Sequence, residues 1–279
     1  MNSNTFVQPL IQDVSFSAAA AALWSGQPIS VEGIAGGSCA LAVAALFRQG
    51  NDSMLLITPN GDSAVQIAED VALFLAEPGE TADEPEYRCC GSVLLFPSGV
   101  PRGEESETVP AMTGEAFGER VAVLKRLSRT EERFIVTASI PALLQPVPPP
   151  ERLKERTQTL AVNSRVDLEL LRRCLIEGGY HSTSAIDLPG EFAVRGYILD
   201  LFAPDWELPV RIEFFNDEIE SIRRFDLTTQ RSLEKIEEID LTRLQPGDCA
   251  GASLLDYFPP SAPIVLIEPA LFSSAERSE

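Results

Sequence analysis

Between Pro28 and Leu144 the chain repeats one pattern: a short run that is apolar almost throughout, then a longer stretch whose apolar residues recur at helical spacing. Ile29-Ser30-Val31 precedes Ser38 to Phe47, and Met54 to Thr58 precedes Ser63 to Leu75. Val93 to Phe96 precedes Glu115 to Leu127, and Phe134-Ile135-Val136 precedes Ser139 to Leu144. In the second of these helices Val65, Ile67, Ala68, Val71 and Leu75 fall on one stripe. A strand with one wet face alternates polar and apolar residues; a run that does not alternate is covered on both faces, as in a parallel sheet between helical layers. The repeat therefore predicts an α/β domain built on a parallel sheet.

Two breaks interrupt this pattern. From Glu77 to Glu119 ten acidic residues stand against only Arg88 and Arg102, which reads as a solvated, loop-rich face because the spacing fits no metal-ligand set. Then Gln145-Pro146-Val147-Pro148-Pro149-Pro150 stiffens the backbone and removes its donors, so a second unit is expected to begin there. In that unit Val166, Leu170, Leu171, Cys174 and Leu175 form one apolar helix face, closed by Gly178-Gly179. The extended runs Phe192 to Phe202, Val210 to Phe215 and Ile219 to Phe225, the last two joined by Asn216-Asp217, predict a small antiparallel sheet packed on that helix.

The residue inventory excludes several functions. With 22 basic and 42 acidic residues the net charge is −20, which disfavours nonspecific attachment to nucleic acid or to an anionic membrane. The longest apolar candidate for a span, Ala18 to Trp24, is a helix segment far short of a bilayer crossing, and Met1 to Thr5 carries no positive charge of a secretory leader, so a cytoplasmic protein without membrane partners is expected. Cys39, Cys89, Cys90, Cys174 and Cys249 form no CxxC pair, and His181 is the single histidine, so no disulfide framework, metal site or cofactor is predicted. His181 follows Gly178-Gly179-Tyr180 and reads as an exposed loop residue; no catalytic residue is assigned. The basic residues Arg152, Lys154, Arg156, Arg165, Arg172 and Arg173 interleave with Glu151, Glu155, Asp167 and Glu169, a pattern of helix-face ion pairs rather than a phosphate track.

Gly33-Ile34-Ala35-Gly36-Gly37-Ser38-Cys39-Ala40 stands where a phosphate-binding loop belongs, between the first expected strand and its helix. Such a loop needs a Lys to reach the β and γ phosphates and a Ser or Thr for Mg²⁺. Cys39 and Ala40 occupy those two positions. Near the other end, Ile264-Val265-Leu266-Ile267-Glu268 resembles an apolar strand that ends in Asp-Glu, but Ile267 holds the Asp place and only Glu268 remains. Gly33, Gly36, Gly37, Ser38, Cys39, Ala40 and Glu268 are thus read as a degenerate, inactive nucleotide site. Residual ATP binding or hydrolysis is the alternative.

Pro189 to Phe202, Pro209 to Arg223 and Leu254 to Pro259 resemble the module shared by the excision-repair protein UvrB and the transcription-repair coupling factors. Phe225-Asp226, Gln230-Arg231-Ser232 and Ala142 to Gln145 resemble the coupling factors more, and the likeness runs from about Ile29 to Phe272. The resemblance implies a degenerate P-loop, helicase-like domain over 1–145, an inserted small α+β domain that docks on UvrA over 151–240, and a return to the first domain over 245–279. It implies an interaction module without enzymatic activity. Contacts with RNA polymerase and DNA, and an ATP-dependent translocase motor, would belong to modules outside these residues. Tyr87, Tyr180, Tyr197 and Tyr257 are scattered, unlike the tyrosine-rich DNA-clamping hairpin of UvrB. The UvrA-contacting arginines and aromatic of the family map onto Arg195, Arg211 and Phe215. In an extended strand Arg211, Glu213 and Phe215 share one face and Val210, Ile212 and Phe214 the other. Spacing alone favours a different reading, in which Arg211 pairs with a local acid such as Glu213 or Glu220 and Phe215 merely closes the hairpin; the resemblance reverses it.

Overall fold

A computed structural model describes residues 4–76, 91–99, 115–129, 132–244, 246–249 and 251–271. Most of the acidic stretch, together with Tyr87, Cys89 and Cys90, lies outside the described residues. Along the chain come α1 (Asn4–Gln12), α2 (Val14–Trp24), α3 (Gly37–Gln49), β1 (Met54–Thr58), α4 (Gly61–Leu75), β2 (Val93–Phe96), α5 (Glu115–Arg129), β3 (Ile135–Ser139) and α6 (Ile140–Leu144). They are followed by α7 (Pro150–Arg156), β4 (Thr157–Ala161), α8 (Leu168–Glu177), β5 (His181–Ser182), β6 (Glu191–Arg195) and β7 (Ile198–Phe202). Next are β8 (Val210–Phe215), β9 (Glu218–Phe225), β10 (Ser232–Ile236), β11 (Glu238–Thr242) and β12 (Ile264–Leu266). The chain divides into two compact units, Met1–Glu104 with Arg126–Gln145 and Ser253–Glu279, and Glu105–Lys125 with Pro146–Ala252.

The first unit holds a parallel sheet in the order β12-β1-β3-β2. Every residue of β1, β2 and β3 is buried, which is why none of these runs alternates. Burying a single leucine such as Leu56 or Leu94 contributes about 2 kcal/mol, so the three strands anchor the unit. Helix α4 starts where the Asn60 side chain accepts the amide of Ser63, and α2 starts where Asp13 accepts that of Phe16. The Trp24 indole donates to the Leu46 carbonyl and lies so close to Gly50 that a Cβ there would enter the ring.

The expected strand at Ile29-Ser30-Val31 does not form. Residues 27–35 hold neither strand nor helix, and Val31 is 46% exposed. Two apolar residues, Ile29 and Val31, between Pro28 and the Glu32-Gly33 pair bury too little to fix a strand, and the flank of β1 opposite β3 is taken by β12. At the other end of the chain β12 stops at Leu266; Ile267 still donates to the Ile57 carbonyl, but Glu268 turns into the left-handed region at φ 54°.

The second unit contains a six-stranded sheet, β10-β9-β8-β7-β6-β5, and the separate antiparallel pair β4-β11. Its core joins Phe192, Leu199, Leu201, Val210, Ile212, Phe214, Ile222 and Phe225 of the sheet to Leu171 and Leu175 of α8. Val147 and Ala252 bridge, so the proline-bounded entry and the exit of the main segment are paired. Two expectations change. Phe192 to Phe202 is not one extended run but the hairpin β6-β7, folded at Gly196 and Tyr197. Leu170 points to solvent at 52% exposure, because one helical step of about 100° separates it from Leu171 on the core side. His181 is exposed, as expected, but sits in β5 paired with Glu191 rather than in a loop.

Candidate protein-interaction face

The burial of β8 alternates residue by residue: Val210, Ile212 and Phe214 are buried, while Arg211 and Glu213 are half-buried and Phe215 is 69% exposed. Residues paired directly across antiparallel strands project to the same side. The registers Asp200↔Arg211↔Arg223 and Arg195↔Ile198↔Glu213↔Ser221 therefore form two adjacent rows on the face opposite the core. Beyond them Phe215 closes the β8-β9 hairpin against Glu218, just past a bulge that leaves Glu220 unpaired with β8. Arg195, Arg211 and Phe215 thus lie on one face, at and near one end of the sheet.

Their environments differ. Arg211 grips Asp200 with two bonds, Nε to Oδ1 at 2.6 Å and Nη2 to Oδ2 at 2.9 Å, and Asp200 is only 4% exposed. The same guanidinium donates to Gln230 at 3.3 Å and stacks 4.7 Å above the ring of Phe225, itself fully buried. Asp200 holds the guanidinium protonated above its ordinary range. The partner of Arg211 is accordingly neither Glu213 nor Glu220; Glu213 accepts from Ser221 at 2.7 Å and from Arg223 at 2.9 Å. Arg195 is exposed and uses Nε and Nη2 to hold the carbonyl of Ser184, at 3.3 and 2.8 Å. Sequence reasoning missed Asp200, although an acid inside the apolar run Ile198 to Phe202 was the available signal, since a buried carboxylate needs a cation.

Of the basic residues in the Arg152 to Arg173 stretch, Arg152 pairs with Glu155 at 3.1 Å, Arg172 with Glu169 at 3.1 Å, and both Arg152 and Arg156 clasp the buried Asp248. Charges committed in this way leave less for phosphate.

The glycine loop of the first unit is poorly arranged for a phosphate. Gly36 opens α3 at φ 54°, but the amide of Ser38 donates back to Ala35 and that of Cys39 to Gly36, at 3.3 and 2.9 Å. A phosphate cradle works by leaving such amides free to point inward. The Ser38 hydroxyl is also turned onto Ala35, accepting from its amide at 3.0 Å and donating to its carbonyl at 2.7 Å. Ala40 is fully buried. The structure does bring Cys39 and Glu268 together: burial first, and the Glu268 carboxylate second, push the Cys39 thiol above its ordinary value. A negative charge facing the loop opposes a triphosphate. Among the described residues no group of three metal-ligating side chains comes together, and no helix is long and apolar enough to cross a membrane.

Residues 159–244, which include this whole face, match the family described as UvrB interaction domain. The chain is 30% identical over 209 residues to the transcription-repair-coupling factor of Bacillus subtilis (strain 168), covering 75% of this chain and 16% of that protein. The corresponding factor of Myxococcus xanthus is 30% identical over 219 residues, covering 78% and 17%. That of Escherichia coli (strain K12) is 28% identical over 208 residues, covering 75% and 17%. The match thus spans about a sixth of the length of these curated relatives. The chain carries a UvrB interaction domain and belongs with the UvrB-homology region of the transcription-repair-coupling factors.

Proposed function

We propose that this chain is a non-catalytic interaction module that binds UvrA through the outer sheet face of its second unit, and so brings nucleotide excision repair to stalled RNA polymerase. The observation that carries this reading is Phe215: a large aromatic, 69% exposed, at the sheet end shared with Arg195 and near Arg211, inside the span that matches the UvrB interaction domain. An exposed aromatic beside arginines is the composition of a binding hot spot, where the ring fills a pocket and guanidinium groups meet carboxylates. Contacts with RNA polymerase and DNA belong, in this reading, to parts of a coupling factor other than these residues. Phe215→Ala weakens UvrA binding by about 2 kcal/mol, roughly 30-fold, without changing the melting temperature. Calorimetric titration with purified UvrA measures this, and equal affinity of the variant and the parent refutes the assignment of the surface.

The first unit is read as a degenerate P-loop domain. The rival, a residual ATPase, requires the loop to hold a triphosphate against Glu268 with the amides of Ser38 and Cys39 already bonded. Mg-ATP at millimolar concentration therefore leaves the melting temperature unmoved. A saturable upshift, which ligand linkage demands of any nucleotide bound to the native state, contradicts the reading.

A further inference from the structure

We infer that Tyr197 is a second aromatic anchor of the same binding face, an inference that rests on the UvrA reading and deepens it. Tyr197 is 63% exposed at the tip of the β6-β7 hairpin, whose closing pair is Arg195↔Ile198. Gly196 at φ 63° supplies the left-handed conformation that the first central position of such a two-residue turn requires. The second position accepts almost any residue, so the fold has no need of an aromatic there. A small polar side chain would be better solvated.

The backbone fixes where that ring stands. The Tyr197 carbonyl accepts the amide of Phe214 at 2.8 Å, which pins the turn against the base of Phe215 on the neighbouring strand. Ile198, 36% exposed, follows it, and Arg195 precedes it. On the far side of Phe215, Glu218 bridges to the exposed Arg165. Two large exposed aromatics therefore stand at neighbouring hairpin ends, with the exposed Ile198 one residue after Tyr197, facing Glu213, and the exposed arginines Arg195 and Arg165 nearby. Single exposed apolar residues are ordinary on a protein surface; a cluster of this kind marks a contact site. The occupant that fits is a folded protein surface offering an apolar pocket bordered by carboxylates. On the present reading that surface belongs to UvrA.

Because the ring makes the contact, Tyr197→Phe keeps the dissociation constant within about 2-fold, whereas Tyr197→Ala raises it about 10-fold, measured by interferometry with immobilised UvrA. Both variants keep the parent's melting temperature, as does Leu170→Ala on the exposed side of α8, which also keeps the parent's affinity. If Phe215→Ala weakens binding while Tyr197→Ala leaves it unchanged, the second anchor is refuted and the UvrA reading stands. If the parent chain gives no binding to UvrA, the reading and the anchor fall together.

Discussion

Replacing Arg211 by alanine is expected to destabilise the second unit by about 3 kcal/mol, because it strips the cation from a carboxylate that cannot reach water. Asp200 is 4% exposed, on the β strand next to β8, and both of its oxygens are bonded to Arg211. Removing one partner of a buried pair costs far more than the pair contributes, since the remaining charge stays desolvated. The packing of the guanidinium on Phe225 and its bond to Gln230 are lost as well. The two tryptophans allow the effect to be assigned: Trp24 lies in the first unit and Trp206 in the second, so in a Trp24→Phe background urea unfolding followed by fluorescence reports the second unit. A double variant, Asp200→Leu with Arg211→Met, recovers most of the loss, because well-packed apolar residues replace a buried ion pair at little cost. An Arg211→Ala variant as stable as the parent contradicts this account of the face. Loss of UvrA binding in Arg211→Ala also cannot be credited to direct contact alone, whereas Phe215, largely in solvent, gives the cleaner test.

The second large effect is expected at Gly118, in the body of α5. Alanine in a helix interior ordinarily stabilises by about 1 kcal/mol relative to glycine. Here a Cβ would collide with the backbone carbonyl of Pro204, which unlike a flexible side-chain tip cannot swing aside. The sign therefore reverses: Gly118→Ala costs about 2 kcal/mol or more, the penalty of overpacking plus the forfeited propensity. Gly61, the first residue of α4, has open space around its Cβ position and ordinary backbone angles, so Gly61→Ala serves as the control and is neutral or slightly stabilising. Thermal melts of the two variants distinguish steric contact from helix propensity, and a stabilised Gly118→Ala variant rules out the close approach of α5 to Pro204.

The parts of this fold legible in the sequence are those fixed by local chemistry. Strands β1, β2 and β3 announce themselves because burial on both faces leaves no exposed position in the run and hence no charged residue and no polar–apolar alternation, and the alternation of β8 sorts its residues between core and solvent. Pairings between distant residues leave weaker traces. The segment Ile29-Ser30-Val31 looks like a strand until the sheet order assigns the flank of β1 to β12, more than 200 residues later. The hairpin inside Phe192 to Phe202 is hidden because the residues around Gly196 all favour extended backbone, and the glycine alone marks the fold. For the candidate face, Arg195, Arg211 and Phe215 come from the family resemblance; the strand alternation alone tells only that Arg211 and Phe215 share a face, and not the partner of Arg211. The bond from Arg211 to Asp200 joins paired residues of the neighbouring strands β7 and β8, eleven positions apart in the chain, and local spacing offered Glu213 and Glu220 instead. Tyr197 escaped notice because its exposure depends on being at a turn that the sequence reading placed mid-strand.

The central claim, that UvrA is held at the hairpin end of the second unit, is tested most directly by hydrogen exchange of the chain alone and saturated with UvrA. Turn amides exchange readily because no strand partner shields them, so they respond most to being covered. Slower exchange concentrated at Gly196 and Tyr197 and at Asn216 and Asp217, with the glycine loop from Gly33 to Ser38 unaffected, is the predicted result. Protection that spares both hairpin turns and falls instead on the first unit would contradict it.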